Sequence, residues 1–305
     1  MRHVSTVAVL RAAVHEARVA GRRTVLVPTM GALHEGHLDL VRLAAEHGDH
    51  TVVSIFVNPT QFDQREDLAA YPRDLEGDLD ALRALGAATP SVVFAPTVAE
   101  IYPRPPLTSI RVAELTDRLC GATRPGHFDG VATVVTKLLH LVRPDAAVFG
   151  RKDFQQLQVV RRLVADLDLP VAILGAPTVR EADGVAMSSR NRRLDDAGRQ
   201  AARALSQALR AGVLAAREQR VSGSRLSSVA VHEAAEGVLA TAEGLEVDYL
   251  EVVQPEELAP APRWSPADAQ LLVAVAGFVG GDVRLIDNVV VGDPEDEERL
   301  VAATG

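Results

Sequence analysis

Residues 24–37, TVLVPTMGALHEGH, decide the fold, because a short apolar run passes there into a glycine-containing turn and then into a helical pattern. The run TVLVP is β-branched, short and closed by proline, which is typical of a buried strand. Similar runs lie further along the chain, at 51–57, 91–95, 146–150 and 171–174. Patterns with helical spacing lie among them, at 38–46, 74–85, 131–142 and 154–166. This alternation predicts an α/β fold with a parallel sheet covered on both faces.

The character of the chain changes near residues 177–183, PTVREAD. Two alanine-rich helical stretches follow at 195–217 and 227–242, and the polar segment between them predicts a helix–helix loop at 217–228. Strand-like runs come last, at 247–253, 271–277 and 283–288. Helices followed by strands indicate a separate α+β domain. We therefore predict one domain at 1–178, a smaller one at 179–292 and a loose acidic tail at 293–305.

Composition and charge restrict the functional class. The chain has 305 residues, of which 47% are hydrophobic, so it can bury a core without disulfides. Its net charge of −9 argues against a nucleic-acid partner. The one cysteine, Cys120, is interpreted as a small buried residue in a reducing compartment rather than as a nucleophile. The start of the chain does not resemble a signal peptide, and no run approaches the roughly 18 apolar residues that span a bilayer. We expect a cytoplasmic protein without a membrane partner.

The first candidate site is the turn PTMGALHEGH at 28–37, at the predicted carboxyl end of a strand. Ligands bind outside such strand ends in open α/β sheets, and the free N–H groups of a helix start suit phosphate. His34 and His37 would share one helix face and donate to phosphate oxygens, while Gly36 lets a base or sugar approach the backbone. The alternatives are two surface histidines or a zinc pair. Because no third ligand is evident, we predict no metal-binding residues.

Two more motifs follow predicted elements in the first domain. The segment NPTQF at 58–62 comes after the second strand, and the amides of Asn58 and Gln61 suit a small polar ligand, although a solvated proline turn is an equal alternative. The segment RPGHFDG at 124–130 opens a helix. There Asp129 is interpreted as an N-cap, and Arg124 either reaches an anion or lies on the surface.

The last two motifs carry positive charge. In FGRKDFQQ at 149–156, Lys152 suits phosphate, Asp153 suits a helix cap or a ribose hydroxyl, and Gln156 lies one turn further on. In MSSRN at 187–191, the two serines and Arg190 suit an anion clamp. A solvated charge cluster and a serine helix cap are the respective alternatives. Three motifs at strand ends and one near the domain boundary together predict a nucleotide site closed by a second domain.

The strings PTMGALHEGH, FVNPTQF, GATRPGHFDGVATVV, KDFQQ and PTVREADGVAMSSRN resemble the pantothenate synthetase family. The pairing of H-x-G-H with M-S-S-R is similar to the HIGH and KMSKS signatures of the nucleotidyltransferase superfamily. The likeness runs from about residue 25 to about residue 193 and returns weakly in VDYLEVV and RLIDN. It implies a Rossmann-like N-terminal domain, a smaller C-terminal α+β lid domain and a homodimer.

The resemblance also implies a reaction, in which pantoate, β-alanine and ATP with Mg²⁺ give pantothenate, AMP and pyrophosphate through a pantoyl adenylate. The matching positions imply ATP contacts at Pro28, Thr29, Met30, His34, Gly36, His37, Lys152, Asp153, Ser188, Ser189 and Arg190. They imply pantoate contacts at Gln61 and Gln156, with Asn58 nearby. Of these, His34, His37, Lys152 and Arg190 are expected to be catalytic.

One position departs from the family pattern, because Arg151 stands where glutamate is usual beside Lys152. If its side chain points inward, binding of ATP or Mg²⁺ changes; if it points to solvent, little changes. The alternatives are a related nucleotidyltransferase and a nucleotide-binding regulatory module without catalysis. The paired glutamines Gln61 and Gln156 favour a small hydroxy acid as substrate.

Overall fold

The computed structural model describes residues 1–62 and 65–304. The chain divides into two compact units. The first contains Met1–Arg151 and Gln156–Ala176, and the second contains Lys152–Gln155 and Pro177–Gly305. The main division falls two residues before the predicted boundary at 178. Sequence patterns did not indicate that 152–155 groups with the later part of the chain.

In the first unit, the described residues form one six-stranded sheet whose neighbouring strands are all parallel. Its strands are β1 (Arg2–Val4), β2 (Thr24–Thr29), β3 (His50–Ile55), β4 (Val92–Phe94), β5 (Ala146–Gly150) and β6 (Ala172–Ala176). They lie in the order β1-β4-β3-β2-β5-β6. From β2 the chain adds β3 and β4 on one side of the sheet, and then β5 and β6 on the other side. The predicted Rossmann-like α/β class is confirmed.

Helices connect these strands. Before Pro177 they are α1 (Val7–Val19), α2 (Glu35–His47), α3 (Arg65–Ala70), α4 (Leu75–Arg83), α5 (Val98–Ile101), α6 (Cys120–Thr123), α7 (His127–Val142) and α8 (Phe154–Asp166). The predictions missed β1 and the helices α1, α3, α5 and α6. They also began α2 and α7 three and four residues too late, so His37 and Asp129 lie within first turns. The N-cap of α7 is Gly126, and the interpretation of Asp129 as that cap is wrong.

The core of the first unit explains why its strands read as continuous apolar runs. Val25, Leu26 and Val27 of β2 are completely buried, and Val41 and Ala44 of α2 pack in the same cluster as Val25 and Val27. A parallel sheet has no solvated face, so both alternating sides of a strand must be apolar.

In the second unit the elements are α9 (Asp196–Val221), β7 (Leu226–Ser227), α10 (Ser228–Leu239), β8 (Leu245–Val253), β9 (Trp264–Ser265), β10 (Leu271–Val279), β11 (Val283–Val291) and α11 (Pro294–Thr304). Strand β10 lies between β11 and β8 in an antiparallel sheet, and β7 pairs with β9. The predicted loop at 217–228 is mostly helix and strand, because α9 continues to Val221. None of the helices in 1–62 and 65–304 is long and apolar enough to cross a membrane.

Residues Pro294–Thr304 form helix α11, whereas a loose tail was predicted at 293–305. Helix α11 buries Leu300 completely. Glu297 is 5% exposed and accepts hydrogen bonds from Arg217 Nε (2.7 Å) and Arg220 Nη1 (3.0 Å) of α9. The acidic segment therefore has cationic partners and an apolar anchor, and these offset the charge that favoured disorder.

Candidate functional site

The strand order places a topological switch point at the carboxyl ends of β2 and β5. Successive strands are added on one side of β2 and then, from β5 on, on the other side. Ligands bind at such a switch point in open α/β folds. Strand β2 pairs with β3 as far as Thr29, but its pairing with β5 covers only Val25 and Leu26. The two strands therefore part before Pro28, which has no N–H to donate. The first predicted motif lies at this point.

The turn after β2 is built by two residues with left-handed backbone. Gly31 has φ +81° and Ala32 has φ +51°. The buried hydroxyl of Thr29 donates to Ser54 O (2.8 Å) and accepts from Gly31 N (3.3 Å), so it joins the ends of β2 and β3. Only glycine adopts the conformation at residue 31 without strain.

One carboxylate that the motif analysis did not single out holds this turn. Asp78 of α4 is 5% exposed and accepts from Ala32 N (2.9 Å) and Leu33 N (2.7 Å). A Cβ on Gly31 would lie 2.8 Å from Asp78 Oδ2. Nothing in the local pattern distinguishes Asp78 from the neighbouring acids Asp74 and Asp80, because its partners lie 45 and 46 residues away.

The two motif histidines lie together at the start of α2. His34 is the N-cap, and its backbone N–H donates to Nδ1 of His37 (3.4 Å). The ring centroids are 4.1 Å apart. Because Nδ1 of His37 accepts, the proton of the neutral ring lies on Nε2, which makes Nε2 a donor. The ring of His37 thus presents a hydrogen-bond donor at the N-terminus of α2.

The amide of Asn58 is engaged by the protein. Its Nδ2 donates to Gln61 Oε1 and Gly130 O, both at 3.1 Å, and its Oδ1 accepts from Thr60 Oγ1 (3.0 Å) and Tyr102 OH (3.1 Å). Burial raises the pKa of Tyr102, partly offset by a hydrogen bond with Thr60, so the phenol stays a donor. Asn58 therefore orients Gln61.

Gln61 joins the first two motifs and the third. Its Nε2 lies 3.0 Å from the sulfur of Met30. Its backbone carbonyl oxygen accepts hydrogen bonds from His127 Nδ1 (2.7 Å) and Arg124 Nη2 (3.4 Å), which lie at or just before the start of α7. A Cβ on Gly130 would lie 2.3 Å from Thr60 O, so only glycine permits this approach. The third motif thus supports the second, a role that the sequence analysis did not assign to His127.

The fourth motif is split by the division of the chain. In the first unit, a Cβ on Gly175 of β6 would lie 3.4 Å from Arg151 Cγ, so the stem of Arg151 runs along β6. In the second unit, Lys152 is partly buried, with its Nζ 3.8 Å from the Asp153 carboxylate. Lys152 and Asp153 lie in a 3₁₀ turn, Arg151–Asp153, directly after β5. Gln156 is partly buried in the first turn of α8.

The fifth motif ends a hairpin in the second unit. Arg180 bridges Ala186, and Met187 N donates to Val179 O (2.9 Å). Ser188 is then the N-cap of a 3₁₀ helix, Ser189–Arg193, and its Oγ accepts from Arg190 N (3.2 Å). Ser188 thus has the structural role that was weighed against anion binding.

Two ion-paired networks hold this hairpin. Arg180 donates to the carboxylate of Asp287 in β11 through Nη1 (2.6 Å) and Nη2 (2.9 Å). Arg199 Nη2 donates to the carboxylate of Asp183 (2.7 Å). Burial opposes ionisation of Asp183, but the hydrogen bonds from Arg199 and from Val185 N outweigh it and lower the pKa. Hydrogen bonds to the carboxylates of Asp183 and Glu181 raise the pKa of Arg199, so it stays charged. Within 1–62 and 65–304, no cluster of three His, Cys, Asp or Glu residues forms a metal site.

The chain matches known proteins over nearly all its length. The family model for pantoate-beta-alanine ligase matches residues 2–290. The chain belongs to the pantoate–β-alanine ligase family. The pantothenate synthetase of Mycolicibacterium smegmatis (strain ATCC 700084 / mc(2)155) is 54% identical over 275 residues, 90% of this chain and 82% of that protein. That of Pseudomonas aeruginosa (strain UCBPP-PA14) is 49% identical over 293 residues, 95% and 99% of the two.

Solved structures of this ligase family agree. The crystal structure of pantothenate synthetase from Thermus thermophilus is similar with a TM-score of 0.85 and 46% identity, over 95% of this chain and 99% of that one. The pantoate-beta-alanine ligase from Francisella tularensis, crystallised with beta-gamma ATP and beta-alanine, is similar with a TM-score of 0.74 and 30% identity, over 95% and 97%. The chain is accordingly a ligase that joins pantoate to β-alanine to form pantothenate.

Proposed function

We propose that ATP drives this ligation through a pantoyl adenylate, with release of pyrophosphate and then AMP. The observation that supports it most directly is the start of α2, where the His37 ring is held with Nε2 as a donor at the N-terminus of a 13-residue helix. Such an arrangement binds phosphate. The Francisella relative was crystallised with beta-gamma ATP, which supports ATP as a substrate here.

In this proposal the residues divide by charge. His34 and His37 donate hydrogen bonds to the phosphates, Lys152 neutralises their charge, and Arg190 closes over the leaving group with Ser188 and Ser189. The remaining nucleotide contacts are Pro28, Thr29, Met30, Gly36 and Asp153. Gln61 and Gln156 bind the hydroxyls and carboxylate of pantoate. Asn58, whose own amide is satisfied, keeps Gln61 in place.

The first step needs alignment more than acid–base chemistry. The pantoate carboxylate is ionised at pH 7, so it attacks the α-phosphorus without a base while the bond to pyrophosphate breaks. The protein supplies orientation and fixed positive charge for the departing oxygens. In the second step the neutral amine of β-alanine attacks the acyl carbon and the C–O bond to the phosphate breaks. AMP leaves with that oxygen and the electron pair of the broken bond, and the new amide nitrogen gives up one proton to water. Exclusion of water protects the adenylate between the steps.

Magnesium enters in this proposal as part of the substrate, the Mg²⁺–ATP complex. The described side chains of the proposed nucleotide site are mainly imidazole, ammonium and hydroxyl groups, which suit phosphate oxygens rather than a hard cation. ATP oxygens and water would supply most ligands of the ion. We further propose that the enzyme works in the cytoplasm as a homodimer. Light scattering of the purified chain tests the dimer.

Lys152→Ala tests the proposal, with pyrophosphate release measured first with ATP alone, then with pantoate, then with β-alanine. We expect pantoate-dependent release in the unaltered chain and a loss of about 10²–10³-fold or more in the variant, as for other preorganised donors. The matched control is Arg162→Ala, which removes an exposed cation of α8 and should change the rate less than twofold.

Three results would contradict the proposal. Release without pantoate would favour another nucleotidyltransferase. No release under any condition would favour a nucleotide-binding module without catalysis. A rate within a few-fold of the unaltered chain in Lys152→Ala would remove Lys152 from the mechanism.

A further inference from the structure

We propose that Asn288 and Asp287 of β11 are positioning residues that hold Lys152 and the hairpin before Arg190 in one fixed arrangement. For its catalytic consequence the inference rests on the proposed role of Lys152 at the ATP phosphates. Neither residue belongs to a motif that the sequence analysis assigned to chemistry, although both lie in the string RLIDN.

The contact to Lys152 is made through its backbone. Asn288 is 6% exposed, and its Nδ2 donates to Lys152 O at 2.7 Å across 136 residues of chain. Lys152 lies in a single 3₁₀ turn, Arg151–Asp153, and such a turn has weak internal hydrogen bonding. The buried amide is therefore a strong external restraint on the backbone from which the ammonium projects.

The adjacent residue makes Asn288 itself rigid. Oδ1 of Asp287 accepts from the backbone N of Asn288 (2.8 Å) and from Arg180 Nη2 (2.9 Å), while Oδ2 accepts from Arg180 Nη1 (2.6 Å). The side chains of Arg180 and Asp287 are 5% and 2% exposed. A two-pronged pair at this depth fixes orientation as well as distance.

Arg180 also contacts the hairpin that leads to Arg190. Arg180 Nη1 also donates to Gly184 O (3.0 Å), at the turn of the hairpin that leads to Ser188. Two consecutive side chains of β11 thus restrain both Lys152 and the hairpin that precedes Arg190. A displacement of about 1 Å at a reacting group can cost about 10²-fold in rate. Loss of the Asn288 amide should therefore reduce catalysis without removing any group that touches substrate.

The variants are Asn288→Ala, which removes the donor, and Asn288→Asp, which keeps the shape and replaces the donor by a carboxylate. Pantoate-dependent pyrophosphate release should fall about 10- to 100-fold in kcat for both. In a Lys152→Ala background, Asn288→Ala should cost less than threefold more, because the group it positions is gone. The matched control is Asp248→Asn, which breaks a partly buried pair with Arg284 of β11 and should leave kcat within twofold.

A second readout does not depend on catalysis. The chain has two lysines, Lys137 and Lys152, so amine labelling followed by peptide mass spectrometry compares them within one sample. Asn288→Ala should change the labelling rate of Lys152 at least threefold and leave Lys137 unchanged. General unfolding would change both lysines, and the melting temperature monitors it.

The outcomes separate the two proposals. Unchanged Lys152 labelling, or an equal fold-loss from Asn288→Ala with and without Lys152, overturns the positioning role while the adenylation mechanism stands. If Asn288→Ala alters the labelling of Lys152 but Lys152→Ala keeps its rate, the catalytic role of Lys152 is overturned. The structural coupling between Asn288 and Lys152 is then still supported. Altered labelling with a non-additive loss supports both.

Discussion

The turn after β2 and the hairpin 179–187 are held by different means. In the turn, left-handed backbone at Gly31 and Ala32 directs two N–H groups onto the single carboxylate of Asp78. In the hairpin, guanidinium groups pair with carboxylates, as in Arg180–Asp287. The turn therefore depends on backbone conformation and one acceptor, whereas the hairpin depends on matched charges.

This contrast predicts different sensitivities. Hydrogen bonds from neutral amides lose moderate free energy when the acceptor is altered. A buried ion pair is near neutral while it is complete, but removing one partner leaves an uncompensated charge and costs much more. Removal of one charged partner in the hairpin should therefore lower the free energy of unfolding more than removal of the acceptor in the turn. The turn should be more sensitive to substitutions that change its backbone conformation.

The largest effect is expected for Asp287→Ala. It leaves the guanidinium of Arg180 buried without its carboxylate, which should lower the free energy of unfolding by about 3–5 kcal/mol. Urea denaturation followed by circular dichroism measures it. The control is Asp282→Ala, whose side chain is 71% exposed in its pair with Arg193 and should cost less than about 1 kcal/mol. Equal losses in the two variants would remove the contrast between buried and exposed pairs.

A smaller effect is expected for Asp78→Asn in the turn. One of its two accepting oxygens becomes an NH₂ group that faces a backbone N–H, so unfolding free energy should fall by about 2–3 kcal/mol. The KM for ATP should rise about tenfold, because the turn carries the histidine pair. Asp80→Asn, on the exposed face of the same helix, is the control. An unchanged KM in a folded Asp78→Asn variant would show that the turn keeps its shape without the carboxylate.

Gly31→Ala tests shape alone. Left-handed strain should cost about 1–2 kcal/mol, and a Cβ 2.8 Å from Asp78 Oδ2 and 3.0 Å from Ile55 Cγ2 should add to it. Its control is Gly86→Ala, since Gly86 has φ +60° but open space around a Cβ. Thermal unfolding of both variants isolates the contacts of the added Cβ with Asp78 and Ile55. If the two substitutions cost the same, the close approach contributes nothing.

The smallest effect is a difference in pH response. Burial, and then Arg22, lower the pKa of His50 in β3 below 6.5, so the folded state resists protonation there. Stability from His50 is complete above pH 6.5 and is lost as pH falls below it. Asp183, with its pKa lowered from 3.8, loses its contribution only as pH falls below about 4.

The unfolding free energy measured between pH 7 and pH 5 checks this prediction. His50→Gln should flatten the decline in that range, while Asp183→Asn should leave its slope unchanged. The reverse pattern would contradict the assignment of these two titrations.

Much of the first unit was predictable because its determinants are local. Strands β2, β3 and β5 are short β-branched runs, and a turn with glycine follows where the chain enters α2. The parallel sheet and the family followed from those strings. The second unit was predicted less well, since α9 extends beyond its expected end and α11 was expected to be loose.

Local steric preferences and the spacing of apolar residues act within about ten positions, so the amino-acid order alone determined the sheet, the strand-end motifs and the histidine pair. Which distant side chain completes each motif was decided only by the folded chain. Asp78 reaches Ala32 and Leu33 across about 45 residues, Asn288 reaches Lys152 across 136, and Glu297 reaches Arg217 across 80. These partners carry no local pattern, because a buried polar group needs a partner at hydrogen-bond distance in space, at whatever separation along the chain.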